Sequence, residues 1–203
     1  MTARPISRQA EYAQATREAI RDAAGRLFVT NGYFDTKVAD IAAAARVSPA
    51  TVYAVGGGKS GLLRDLLQAG MADQQIAGIK RDLEAEPDPN RLLALLVEAR
   101  QRRFDQWAGL LRAVVAAAPQ EASVRESLDM TDAAIRAGLA GVARRLADME
   151  ALRPGLTADR AAAVLWYYTG NASFFTLVDD LGWSLPDAAA WIGRQLTHAL
   201  LDR

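Results

Sequence analysis

Through most of the chain, apolar residues recur every three or four positions, the period of a helix with one buried face. Ile20, Ala23, Ala24, Leu27 and Phe28 form such a stripe within Thr16 to Asn31, and Gly32 is the stop. A tighter pattern occupies residues 39–53. Ala39, Ile41, Ala42 and Ala45 predict one short helix, and Val47 pins the turn that follows it. Ser48 is a good N-cap, because its hydroxyl can accept from an unpaired backbone N–H, and Pro49 suits the first helical position. The second helix runs through Ala50, Thr51, Val52 and Tyr53 and ends at Gly56, Gly57 and Gly58. Val52 is its inward anchor, leaving Ala50, Thr51 and Tyr53 pointing outward. Two short helices around a tight turn, the second tipped with small and hydroxyl-bearing residues, are a means of putting a helix into a DNA groove.

The remainder reads as longer helices. Leu62, Leu63, Leu66 and Leu67 begin one that reaches Leu83, broken by the two prolines of residues 84–89. Another spans Arg91 to Ala118, with an interruption predicted near Gly109, and a third runs from Gln120 to Leu152 before Pro154-Gly155. Thr157 caps a helix to Leu181, and after a turn at residues 182–186 the last runs from Asp187 to Leu201. The reading is all-α, about nine helices. Forty-two alanines against 12 Val and 7 Ile favour helix over any sizeable sheet.

The last two helices are apolar over much of their circumference and so need two partners. One is the chain's own core. The other is predicted to be the same pair in a second subunit, packed as an isologous four-helix bundle through Leu165, Tyr168, Ala172, Phe175, Ile192, Leu196 and Ala199. A hairpin buried within a monomer is the alternative.

The order Leu27-Phe28, Gly32-Tyr33, Thr36, Ile41-Ala42, Val47-Ser48, Val52-Tyr53 and Lys59 resembles the DNA-binding region of the TetR family of one-component transcriptional regulators. The resemblance covers the first quarter of the chain. It implies a three-helix helix-turn-helix domain over residues 1–58 and a helical ligand-binding and dimerisation domain over 59–203. It also implies a palindromic double-stranded DNA operator, a homodimer and release by a small, largely apolar effector, most often from a repressor. The residues expected to meet DNA are Arg17, Thr36 (also read as an N-cap), Lys37, Ser48, Pro49, Ala50, Thr51, Tyr53 and Lys59, with Arg4 and Arg8 as further phosphate contacts. Two departures stand out. The family's aromatic after the Tyr is replaced here by Val55-Gly56, which predicts an underfilled small core, and Lys37 stands where a second Thr is common.

Net charge is zero, but residues 1–60 carry +3 and residues 61–203 carry −3, so the basic excess lies with the DNA motif. Gly58-Lys59-Ser60 imitates the end of a phosphate-binding P-loop. The required glycine five residues before Gly58 is Tyr53, however, and no strand precedes it, so nucleotide hydrolysis is rejected. The chain has no cysteine and one histidine, His198, which leaves no catalytic dyad, no metal cluster and no cofactor to predict. The absence of a signal-length or membrane-length apolar run predicts a cytoplasmic protein. By the resemblance, an effector cavity would draw on Phe104, Trp107, Leu111, Trp166, Tyr167 and Phe174, with Arg103 and Asn171 as polar groups. The competing reading is a helical ligand-binding or interaction protein whose DNA-binding domain has been weakened by the glycine turn.

Overall fold

The computed structural model describes residues 8–71 and 74–202, with side chains described over 10–70 and 78–202. Its helices are α1 (Arg8–Asp35), α2 (Val38–Ala45), α3 (Pro49–Gly56), α4 (Gly58–Met71), α5 (Gln74–Ala85), α6 (Pro89–Ala117), α7 (Ala122–Asp148), α8 (Ala158–Thr169), α9 (Asn171–Phe175) and α10 (Leu185–Leu200). A π turn, Thr176–Asp180, follows α9 directly. The chain forms two compact units, Met1–Ala72 with Gly109–Thr131, and Asp73–Ala108 with Asp132–Arg203. The first is thus larger than the 1–58 segment that carries the motif.

In the first unit α1 packs against α2, α3 and α4. Ile20, Ala23, Ala24 and Phe28 of α1 are buried with Ile41 and Ala42 of α2, Val52 of α3, and Leu62 and Leu63 of α4. Helix α1 starts eight residues before the predicted boundary, where Gln14 donates to Glu18 at 2.8 Å and the Thr16 hydroxyl to the Tyr12 carbonyl at 2.9 Å. It kinks at Gly32, whose φ of 79° no helix accommodates. No interruption occurs at Gly109. A Cβ there would lie 2.8 Å from Val29 Cγ1, so this glycine allows α6 to approach α1 closely.

The second unit is built on long helices and one leucine-rich core. Leu92, Leu93 and Leu96 of α6, Leu139, Val142 and Leu146 of α7, Leu165 of α8, Phe174 of α9 and Ile192, Leu196 and Leu200 of α10 are all buried in it. Thr157 and Ser184 cap α8 and α10, accepting from the N–H groups of Arg160 and Asp187 at 3.3 and 3.2 Å. The helix predicted to run unbroken from residue 157 to 181 instead breaks at Gly170, which is extended (φ −65°, ψ 156°). A Cβ at that position would sit 2.8 Å from the Trp166 carbonyl oxygen. Among the described residues, no helix is long and apolar enough to cross a membrane.

Candidate DNA-binding interface and effector site

Ser48 Oγ accepts the Thr51 N–H at 3.1 Å and lies 2.8 Å from the Thr51 hydroxyl, which fixes the start of α3. The turn before it closes through Arg46, held in the left-handed region (φ 56°), with the Val47 N–H donating to the Ala42 carbonyl at 2.9 Å. Val52 is fully buried and anchors α3. Pro49 and Ala50 are exposed, Thr51 is half-buried, and Tyr53 is 59% exposed. The outward set is therefore gathered on one short helix. Arg17 and Lys37 are exposed on α1 and just ahead of α2. Arg4 and the side chain of Arg8 lie outside the described residues.

Thr36 departs from its expected role. It is fully buried, and its hydroxyl donates to the carbonyls of Gly32 (2.7 Å) and Leu27 (3.1 Å). The N-cap of α2 is Lys37, whose backbone N–H donates to the Asp40 carboxylate at 3.2 Å. A buried hydroxyl committed to the end of α1 is not presented to a phosphate. Lys59 is half-buried, its Nζ donating to the carbonyls of Tyr33 (2.8 Å) and Phe34 (3.3 Å).

The expected gap beside Gly56 is filled. Leu62 is 2% exposed and seats its side chain on Gly56, where an added Cβ would come within 2.7 Å of Leu62 Cγ. Gly57 (φ 65°) and Gly58 (φ 83°) then take left-handed conformations that reverse the chain from α3 into α4. At Gly58 the missing Cβ also makes room for the Tyr53 ring edge, 3.2 Å away from where that atom would be.

The residues expected around an effector are only partly brought together. Phe104 stacks on Phe174 (ring centroids 5.1 Å apart) and meets Phe175 edge-on at 5.2 Å. Trp166 is covered by the Arg136 guanidinium, 4.3 Å from its ring centre. Trp107 and Arg103 are half-buried, and Tyr167 is 70% exposed. Leu111 is buried in the first compact unit, whereas the others belong to the second. Asn171 accepts from Nη2 of a residue the sequence reading missed, Arg100, at 3.4 Å.

Arg100 is 8% exposed, and its Nε donates at 2.9 Å to the Thr169 carbonyl freed by the break at Gly170. Burial lowers its guanidinium to a pKa of about 10; Arg103 pushes the same way and Asp132 opposes. A sequence signal existed. Leu96, Arg100 and Phe104 are spaced by four on α6, so the arginine occupies a core-facing position.

Three of the residues expected at a subunit interface are inside the protomer. Leu165, Ile192 and Leu196 are fully buried in the chain's own core, and Tyr168 and Phe175 pack against it half-buried. Only Ala172 is well exposed, with Ala199 intermediate. The predicted stripe was the inward one. Outward lie Tyr167, Leu181 (59% exposed) and Trp183 (37%), joined through an edge-to-face series of Tyr167, Tyr168, Trp191 and Trp183. An open groove of about 960 Å³ also runs along the outer face of α10, floored by Ala190, Gly193 and Thr197.

The model of the bacterial regulatory proteins of the tetR family matches residues 20–66, the stretch that holds α2, α3 and their supports. Residues 20–66 thus carry a tetR-type DNA-binding region. The chain is similar along its length to several solved structures, all below 25% identity, and these establish the fold. One is a putative transcriptional regulator from Saccharomonospora viridis in complex with choline (20% identity, 94% of this chain and 100% of that chain, TM-score 0.77). Another is NalD, the secondary repressor of the MexAB-OprM multidrug efflux pump in Pseudomonas aeruginosa (23%, 94% and 98%, TM-score 0.72). A third is the regulator FadR from Bacillus subtilis in complex with stearoyl-CoA (20%, 88% and 96%, TM-score 0.70). No curated protein sequence matches this chain.

Proposed function

We propose that the protein is a homodimeric repressor that binds a palindromic DNA operator and is released from it by a small, largely apolar effector. The observation that carries the reading is α3. A helix anchored by Val52 and capped by Ser48 presents Pro49, Ala50, Thr51 and Tyr53 outward, beside exposed Lys37 and Arg17. Leu62 over Gly56 favours this over a DNA-binding domain weakened by its glycine turn. The test is selection from a random-sequence duplex pool. A recovered palindrome whose binding weakens steeply with salt supports the reading, and failure to enrich any sequence refutes it.

For dimerisation we assign the outer aromatic row and the small-residue face of α10 in place of the buried stripe, since a partner can only cover what the protomer leaves exposed. For the effector we assign the polar end to Arg100 and Asn171 and the apolar end to Phe104 and Phe174. The ligands bound in the similar structures include both stearoyl-CoA and a quaternary ammonium, choline. The buried Arg100 guanidinium brings a positive charge to this end, which favours an anionic head over a cationic one. Decanoate should therefore dissociate the selected duplex at lower concentration than decanol, and decyltrimethylammonium should be the weakest of the three. Arg100→Met should remove the preference for decanoate over decanol. Equal potency of all three in the parent protein would refute the anionic assignment.

A further inference from the structure

We infer that Lys59 is a positioning residue that clamps the end of α1 to the start of α4, and that the backbone charge of DNA on this side is met by Lys37. The inference rests on the DNA-binding reading above. Around the kink at Gly32, backbone carbonyls near the end of α1 accept from side-chain donors. The Thr36 hydroxyl takes those of Leu27 and Gly32. Lys59, from the first turn of α4, takes those of Tyr33 and Phe34, and its Nζ stands 4.5 Å from the centre of the buried Tyr33 ring. A cation at the C-terminal end of a helix and over an aromatic face is favoured on both counts. Two of the three ammonium donors are thereby committed to backbone carbonyls.

The clamp bears on recognition through geometry. The α1–α2 turn launches α2, α3 follows it, and α4 begins directly after the Gly57 reversal. Tying the turn to α4 closes this loop of short helices, so the outward face of α3 is held at a fixed angle. Loss of the tie would loosen α3 on every duplex without altering how many phosphates are neutralised. Lys37 is exposed and lies one residue ahead of α2, where its charge is available to a phosphate.

The experiment compares the parent protein with Lys59→Met, Lys59→Gln and Lys37→Met, using the duplex recovered by selection and anisotropy over a range of salt concentrations. Lys59→Met should weaken binding on the order of tenfold, the loss of one charge-assisted tie, with an unchanged slope of log affinity against log salt. It should also lower the thermal midpoint and speed amide exchange over residues 33–36. Lys59→Gln is neutral but keeps a donor, so it should recover part of the midpoint and of the affinity. Lys37→Met should leave the midpoint alone and flatten the slope by about 0.9, one phosphate's share. A slope lowered equally by Lys59→Met and Lys59→Gln, with the midpoint and exchange unmoved, would overturn the inference. If no duplex is recovered, the DNA-binding reading fails, and the midpoint and exchange measurements still decide the clamp.

Discussion

The two compact units use polar groups in opposite ways. In the first, eight-residue helices are held by short-range devices: the Ser48 cap, the left-handed Arg46 and Gly57–Gly58 turns, and the buried Thr36 hydroxyl. In the second, α8, α10 and stretches of α6 and α7 pack on a leucine core, and the outstanding polar feature is a buried arginine satisfying a helix break 69 residues away. Helices of two turns are too short to be stable alone, so their ends must be fixed one by one. Long helices tolerate loose ends but not a charge without partners. Damage to the first unit should therefore be graded, and damage to the second abrupt.

The sharpest way to break this contrast is a charge in the second core. Ile192→Glu buries a carboxylate among Leu165, Leu196 and Phe174 and should cost several kcal/mol, leaving insoluble or unfolded protein. Tyr167→Glu, on the exposed row, should keep the far-ultraviolet circular dichroism and give monomers by sedimentation. A soluble, well-folded Ile192→Glu protein would show that this core is not as tight as described.

A smaller effect is expected at Gly56. Restoring the family's ring with Gly56→Phe would drive it into Leu62, and overpacking of this kind costs about 1–3 kcal/mol, read as a lower denaturation midpoint. An increase in stability would mean that Leu62 moves aside and the gap was open after all. The smallest change should be a gain. Arg46→Gly relieves a left-handed non-glycine residue and should stabilise the first unit by roughly 0.5–1 kcal/mol. No gain in chemical denaturation would indicate that Arg46 makes a compensating contact.

The same contrast explains what could be read in advance. Ser48, Pro49 and Val52 announce their roles within four residues of sequence, and the structure puts cap, first turn and anchor where that spacing predicts. Local spacing makes Thr36 a cap, yet its hydroxyl is spent on the carbonyls of Gly32 and Leu27, four and nine residues back, and Lys59 reaches carbonyls 25 and 26 residues away that no local pattern announces. Gly109 reads as a helix interruption until Val29 supplies the reason for a missing side chain. Periodicity cannot tell which of two apolar stripes faces inward, and Leu165, Ile192 and Leu196, expected to face a second subunit, lie in the chain's own core.

The π turn at Thr176–Asp180, where the Leu181 N–H donates to the Thr176 carbonyl at 3.0 Å, holds one residue more than an α turn would. Each helical residue advances the side-chain direction by about 100°, so the extra one rotates everything beyond it by that amount. Leu177 remains in the core while Leu181 and Trp183 emerge at the surface. A one-codon deletion here would restore the α repeat and swing those side chains around the axis, leaving the buried leucines ahead of it in place. The one additional residue thus decides which apolar side chains this end of the segment leaves to solvent.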